Sequence, residues 1–232
     1  MDLTNNESSD HGTDLAGSRP IFPGLPGNGF DSALSLPDFR HKRLIFNQLV
    51  VSGQMHVYSA NCRAGARLRA QLFIPQLGSG RATVPNFAIV AQSLPYSADI
   101  HKLPIEVPAG FSAVVAPPMG QLGTPVTDLL TQVKYNAGSS LDTQTIVGGR
   151  AYIIVWSPED KVGKYVLQTG HQWPLKFGYW MQIPWFWWQI RGWFGRSRAG
   201  AIAVATAVTI GLVTLFTIRS KRQARLVRRE EI

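Results

Sequence analysis

Five histidines, a single cysteine and the adjacent carboxylates Glu159 and Asp160 are the side chains best suited to catalysis or metal binding in this chain of 232 residues. The histidines stand at 11, 41, 56, 101 and 171, with no H-x-H or H-x-x-x-H spacing that would turn two ring nitrogens toward one ion. Cys62 has no second cysteine to pair with and no paired histidine signature, so it reads as a small, buried or half-buried residue. Glu159 and Asp160 follow Pro158 in a turn, where polar residues are needed anyway, and two neighbouring carboxylates fall short of the roughly six to eight oxygens that calcium takes. No G-x-S-x-G, P-loop or G-x-G-x-x-G element is present. The sequence therefore assigns no catalytic, cofactor-binding or metal-ligating residue, and the expectation is a protein that is not an enzyme, with no cofactor and no small-molecule substrate.

The formal charge of +9 would raise nucleic acid as a partner if it were spread over one surface. It is instead divided into zones. Residues 1–18 carry four acids and no Lys or Arg, 40–172 carry twelve basic against six acidic residues, and 173–232 carry ten basic residues against Glu230 and Glu231. The meaning of the last zone depends on the segment that precedes its tail.

From Ala199 to Ile218 twenty consecutive residues contain no charge, His, Asn or Gln. At about 1.5 Å per residue a helix of this length spans roughly 30 Å, the hydrocarbon thickness of a bilayer. A soluble core helix keeps a polar face, which this run lacks. Trp180, Trp185, Trp187, Trp188 and Trp193 precede it as an aromatic belt would, and Pro184 among them suggests a short interfacial helix or a bent pair of turns. Arg219, Lys221, Arg222, Arg225, Arg228 and Arg229 follow it as a basic tail facing anionic lipid headgroups. Within the run Ala199, Ala203, Ala207 and Gly211 recur every four positions, a stripe of small side chains that lets another membrane helix approach. The excess of basic residues after the span places the tail in the cytoplasm and the N-terminal part outside it, in a bacterial inner membrane with the domain periplasmic. Residues 1–30 show no signal peptide, so an upstream start, an unusual export route and a reversed topology remain alternatives.

Ahead of the span, residues 1–40 read as an extended arm rich in Gly and Pro, with Ile21, Phe22, Leu25 and Phe30 set among the prolines. From there the pattern changes to short apolar or alternating runs. Arg43 to Val51 and Gln54 to Ala60, joined through Ser52-Gly53, suggest a hairpin, and Leu68, Ala70, Leu72 and Ile74 alternate with Arg67, Arg69, Gln71 and Phe73. Further runs lie at 86–92, 111–116, 129–135, 151–157 and 164–169, while the prolines between Leu94 and Pro118 suit a long connection wrapped on the surface. About eight strands without an amphipathic helix predict a mainly β protein, an antiparallel, jelly-roll-like β-sandwich with one C-terminal transmembrane α-helix. The expected division is an arm at 1–40, a sandwich at 41–172, a Trp-rich interfacial segment at 173–198, the span at 199–218 and the tail at 219–232.

The run Ala64-Gly65-Ala66-Arg67-Leu68-Arg69-Ala70-Gln71-Leu72, with Gly149-Arg150-Ala151-Tyr152-Ile153-Ile154-Val155 and Gly163-Lys164-Tyr165-Val166-Leu167, resembles bacterial pre-peptidase C-terminal type β-sandwich modules. The resemblance covers roughly residues 50–170. The Pro-rich stretch from Pro75 to Pro125 departs from the compact family pattern, and its acidic Asp-Trp entry motif is absent. It implies an extracytoplasmic sandwich that binds or spaces rather than one that catalyses.

Two functions fit. The first is a single-span accessory or structural subunit of a membrane complex, of the kind found in respiratory and photosynthetic assemblies, whose partners are other integral membrane subunits and anionic lipid headgroups rather than nucleic acid. The second is a membrane-tethered module for a cell-envelope polysaccharide or other ligand, with Tyr152 or Trp156 as a stacking platform where they face outward.

Overall fold

The computed structural model describes residues 18–77, 84–95, 97–119, 123–128, 131, 133–157, 161–172 and 181–195, and beyond these 197, 199, 202, 206, 207, 210 and 214. The chain divides into two compact units, 1–187 and 188–232. Eleven strands are described in the first: β1 (Arg19–Ile21), β2 (Leu34–Ser35), β3 (Arg43–Leu49), β4 (Met55–Cys62), β5 (Arg67–Pro75), β6 (Asn86–Ala91), β7 (Ser112–Val115), β8 (Pro125–Thr127), β9 (Lys134–Gln144), β10 (Gly149–Trp156) and β11 (Gly163–Thr169).

They form two sheets, ordered β1-β3-β11-β5-β9-β8 and β2-β4-β10-β6-β7. Alternation decides what lies between them. Ile45 and Leu49 of β3, Leu68, Ala70 and Leu72 of β5, and Tyr165 and Leu167 of β11 share one core with Tyr58 and Ala60 of β4, Phe87 and Ile89 of β6, and Ile153 and Val155 of β10. All are buried, and each large aliphatic side chain so placed contributes about 1.5–3 kcal/mol of transfer free energy.

The sandwich is mixed, not wholly antiparallel as expected. β1 runs parallel to β3 and β2 parallel to β4, so the N-terminal arm adds an edge strand to each sheet in turn. An arm with few residues per strand and prolines nearby belongs at an edge, where only one side needs ladder donors. The expected hairpin across Ser52-Gly53 is also corrected: β3 and β4 belong to different sheets. The chain arches over the core there, with the Gln54 side-chain oxygen accepting the Val50 and Val51 amides at 2.7 and 3.1 Å. A short turn with a glycine suits an arch as well as a hairpin, and the apolar faces of the two strands then meet across the core.

β9 is the element least visible in sequence. It runs eleven residues with Ser, Asn, Asp and Gln among them, and the expected strand at 129–135 overlaps only its start. Pairing with β5 from Arg67↔Gln144 to Pro75↔Tyr135 holds it, with an irregularity between Gln71 and Phe73. Gly138 sits at that point, where a Cβ would come 2.8 Å from the Leu72 carbonyl oxygen.

The outer face of the second sheet is covered by a third layer. Val57, Ala88, Val90, Ala113, Tyr152, Ile154 and Trp156 are packed there beneath Phe30 and Ala33 of the arm and Ile100, Leu103, Ile105, Val107 and Phe111 of the Pro-rich connection. Phe30 and Phe111 meet the Tyr152 ring edge-on, with centroids 4.9 and 5.8 Å away. Tyr152 and Trp156 are thus only 7% and 6% exposed, and the stacking platform considered for them does not exist. Alternation could show that they point away from the main core but not that a distant loop covers them.

The helix α1 (Ile183–Trp193) has Pro184 in its first turn, where a missing amide donor costs nothing. Phe186 and Ile190, one turn apart, are buried and Trp185 is exposed. Of residues 199–218, Ala199, Ile202, Thr206, Ala207, Ile210 and Thr214 are described and helical. Among the described residues no helix is long and apolar enough to cross a membrane.

Candidate functional site

Three segments meet at one rim of the sandwich: 37–41 before β3, the turn 62–66 between β4 and β5, and Gly170-His171 after β11. Backbone hydrogen bonds tie the first to the third and anchor the turn to its neighbours. The Arg40 carbonyl accepts the amides of His171 and Gln172, both at 3.0 Å, and the Arg69 carbonyl accepts that of Gly170 at 2.9 Å. Gly170 has φ +82°, and a Cβ there would lie 2.4 Å from the His41 carbonyl oxygen, so both the conformation and the approach require glycine. The turn is fixed to the end of β9 by Gly65 N–H to Thr145 O and Thr145 N–H to Ala66 O, at 2.9 and 3.1 Å.

Between these segments lies a cleft of about 580 Å³, within the size range of small-molecule sites. Its polar lining comes from Asp38, Arg40, His41, Arg63, Arg67 and His171, with Asn61 and Cys62 between them. Asp38 organises one wall. Its carboxylate accepts the amides of Arg40 and His41 at 2.9 and 2.8 Å, contacts His41 Nδ1 at 3.1 Å, and takes the Arg43 guanidinium at 2.7 Å. Burial alone would raise its pKa, but the Arg43 bond and these amides hold it well below the usual carboxylate range. Arg67 on the opposite side makes a two-pronged pair with Asp142, at 2.8 and 2.5 Å.

With Asp38 and Asp142 so engaged, two cations are left over. The guanidinium groups of Arg40 and Arg63 are on exposed residues and make no ion pair or hydrogen bond among the described residues. Burial and the positive charges of Arg67, Arg40 and Arg69 push the His171 pKa below its ordinary value, and its Nδ1 is buried without a hydrogen-bond partner among the described residues. Cys62 is a poor nucleophile here: burial, then the charge of Asp38, pushes its thiol up to about 11. No group of three or more His, Cys, Asp or Glu side chains among the described residues is placed to hold a metal ion.

His56 is placed differently. It is fully buried between the sheets, its Nδ1 2.6 Å from the Tyr165 hydroxyl, which lies 2.8 Å from the Tyr58 hydroxyl; Asn47 Nδ2 donates to Tyr58 at 3.2 Å. Burial pushes the His56 pKa down to about 4 and raises those of both tyrosines, so all three are neutral at neutral pH. No opening of the cleft includes these residues.

Of the tryptophans expected at an interface, Trp185, Trp187, Trp188 and Trp193 lie on α1, and Trp180 lies outside the described residues. Ala199 and Ala207 are helical, whereas Ala203, Gly211 and the tail residues Arg219, Lys221, Arg222, Arg225, Arg228 and Arg229 lie outside the described residues. Sequence reasoning assigned nothing to the cleft. The available signal was glycine beside basic residues at strand ends, in Arg63-Ala64-Gly65-Ala66-Arg67 and Gly170-His171, but only the fold brings the two segments to one rim.

A β-sandwich with edge strands from its own arm, a covering loop layer and a basic rim cleft defines the architecture. Among solved structures the chain is similar to the pre-peptidase C-terminal domain of a Bacillus anthracis collagenase, at 11% identity over 58% of this chain and 91% of that one, with a TM-score of 0.32. This is the type of module that the residue pattern at 64–72 and 149–167 resembles. It is also similar to PliG of Aeromonas hydrophila, a periplasmic inhibitor of g-type lysozyme, at 11% identity over 66% of this chain and 97% of that one, with a TM-score of 0.33. A third is the copper-binding secreted protein MopE of Methylococcus capsulatus, at 12% identity over 66% and 90%, with a TM-score of 0.30. No protein-family profile and no curated protein matches the chain.

Proposed function

We propose that this chain is a single-span accessory subunit of a membrane protein complex, not an enzyme, whose β-sandwich stands outside the cytoplasm and docks on or stabilises partner subunits. The observation that carries the reading is the uncharged run 199–218, flanked by tryptophans before and six basic residues after. Two details of its described residues support it. Thr206 and Thr214 turn their hydroxyls back onto the Ile202 and Ile210 carbonyls, both at 2.8 Å, which satisfies them inside the helix as hydrocarbon surroundings demand. Ile202 and Ile210 are meanwhile exposed.

In this reading the stripe Ala199, Ala203, Ala207 and Gly211 packs on a neighbouring membrane helix, the tryptophans anchor at the headgroups, and the basic tail faces anionic lipid on the cytoplasmic side. Purification from native membranes in a mild detergent, with identification of every protein that travels along, tests it. Stoichiometric membrane subunits are expected, and a clean monomer would end the proposal. Protease treatment of intact cells is expected to cut the sandwich and spare the tail.

A further inference from the structure

The geometry points to the rim cleft between 37–41, 62–66 and 170–171 as a binding site for a phosphate ester, held by Arg40 and Arg63 with His171 behind them. The inference goes beyond the docking role and rests on the charge left over in the cleft.

A structural set of charges on a rim ends up paired or dispersed into solvent. Here pairing has gone as far as the acids allow and stops short. Asp38 is saturated by Arg43, His41 and two backbone amides, and Asp142 by the fork of Arg67. Arg40 and Arg63 stand on two different segments, the first tied by backbone bonds to 171–172 and the second on a turn tied to Thr145. Both line the same concavity.

Two guanidinium groups match the charge of a phosphate monoester and can each present a planar fork to its oxygens. A carboxylate has two oxygens and one charge, which a single arginine satisfies. His171 lines the same cleft, and its Nδ1 is buried without a hydrogen-bond partner among the described residues. The volume of about 580 Å³ far exceeds a bare phosphate, so the organic part of the ester lies in the cleft against Pro37, Phe39 and Leu68. The same chemistry belongs to a soluble sugar or glycerol phosphate and to a phosphomonoester lipid headgroup.

The test uses the full chain in a neutral detergent, titrated calorimetrically with inorganic phosphate, glycerol 3-phosphate, acetate, and mixed micelles containing phosphatidic acid. Arg40→Gln/Arg63→Gln is compared with Lys134→Gln, an exposed residue at the far end of β9. Saturable binding of glycerol 3-phosphate or of phosphatidic acid, weakened about tenfold or more in the double variant and unchanged in Lys134→Gln, supports the site. The basic tail contributes equally to wild type and both variants, so the micelle arm is read as their difference. Preference for the lipid assigns the headgroup as source, and preference for the soluble ester assigns a free metabolite. No saturable binding by any phosphate probe overturns the inference, as does equal weakening by Lys134→Gln or acetate binding as tight as glycerol 3-phosphate.

Discussion

Two polar assemblies, one sealed and one open, each contain histidine. His56, Tyr165, Tyr58 and Asn47 lie between the sheets, each hydroxyl facing a partner within 3.2 Å. His41, His171, Arg40 and Arg63 lie at a rim, where three chain segments leave a cleft. Burial strips the first group of charge and turns it into a fixed piece of packing, since an ionised member there would have neither solvent nor counterion. The second group is open to water, and the acids beside it are already paired with other residues. Histidine identity says nothing about which role follows; the strand's position in the sheet decides it.

The largest effect expected from this contrast is acid destabilisation through His56. Its folded pKa of about 4 lies below the unfolded value of 6.5. The unfolded chain therefore binds a proton in that window that the native state refuses, so the stability is whole above about pH 6.5 and falls toward pH 4, by roughly 3 kcal/mol across the window. Chemical denaturation as a function of pH on wild type and His56→Phe measures this. An acid limb of the same size in the variant would mean that the sealed network is not its source.

Next comes Gly170→Ala, which forces a side chain into a left-handed conformation and onto the His41 carbonyl. A loss of about 2 kcal/mol or more is expected in thermal or denaturant unfolding. Because Gly170 clamps the rim and not the core, the His56 acid limb should survive in this variant. A smaller step is Tyr58→Phe, which leaves Asn47 Nδ2 and one side of Tyr165 unpaired in the interior and is expected to cost about 1–2 kcal/mol. The smallest is Arg67→Gln at the exposed end of the cleft: a melting midpoint within about 2 °C of wild type, with that difference shrinking further in high salt. A large loss there would contradict the picture of the rim as solvated and adaptable.

The sandwich class was legible because β5 alternates and β6, β10 and β11 are short apolar runs of strand length, whose inward residues are apolar almost without exception. β9 was not, since Gly138, Ser139 and Ser140 have little strand preference of their own and are held by their neighbour β5. The arch at 50–54 read as a hairpin because turn chemistry reports that the chain reverses, not which sheet it rejoins. The cleft residues were visible only as scattered basic side chains near glycines.

Local residue chemistry determined by itself the period-two strands, the extended arm, the charge zones and the twenty-residue apolar run, because each depends on neighbours within a few positions. The tertiary structure alone decided that the arm supplies an edge strand to both sheets, that Tyr152 and Trp156 are roofed by a distant loop, and that His56 is sealed while His171 is not. Those outcomes depend on which segments far apart in the chain come to lie side by side, and burial, with the charge state it dictates, is a property of that arrangement.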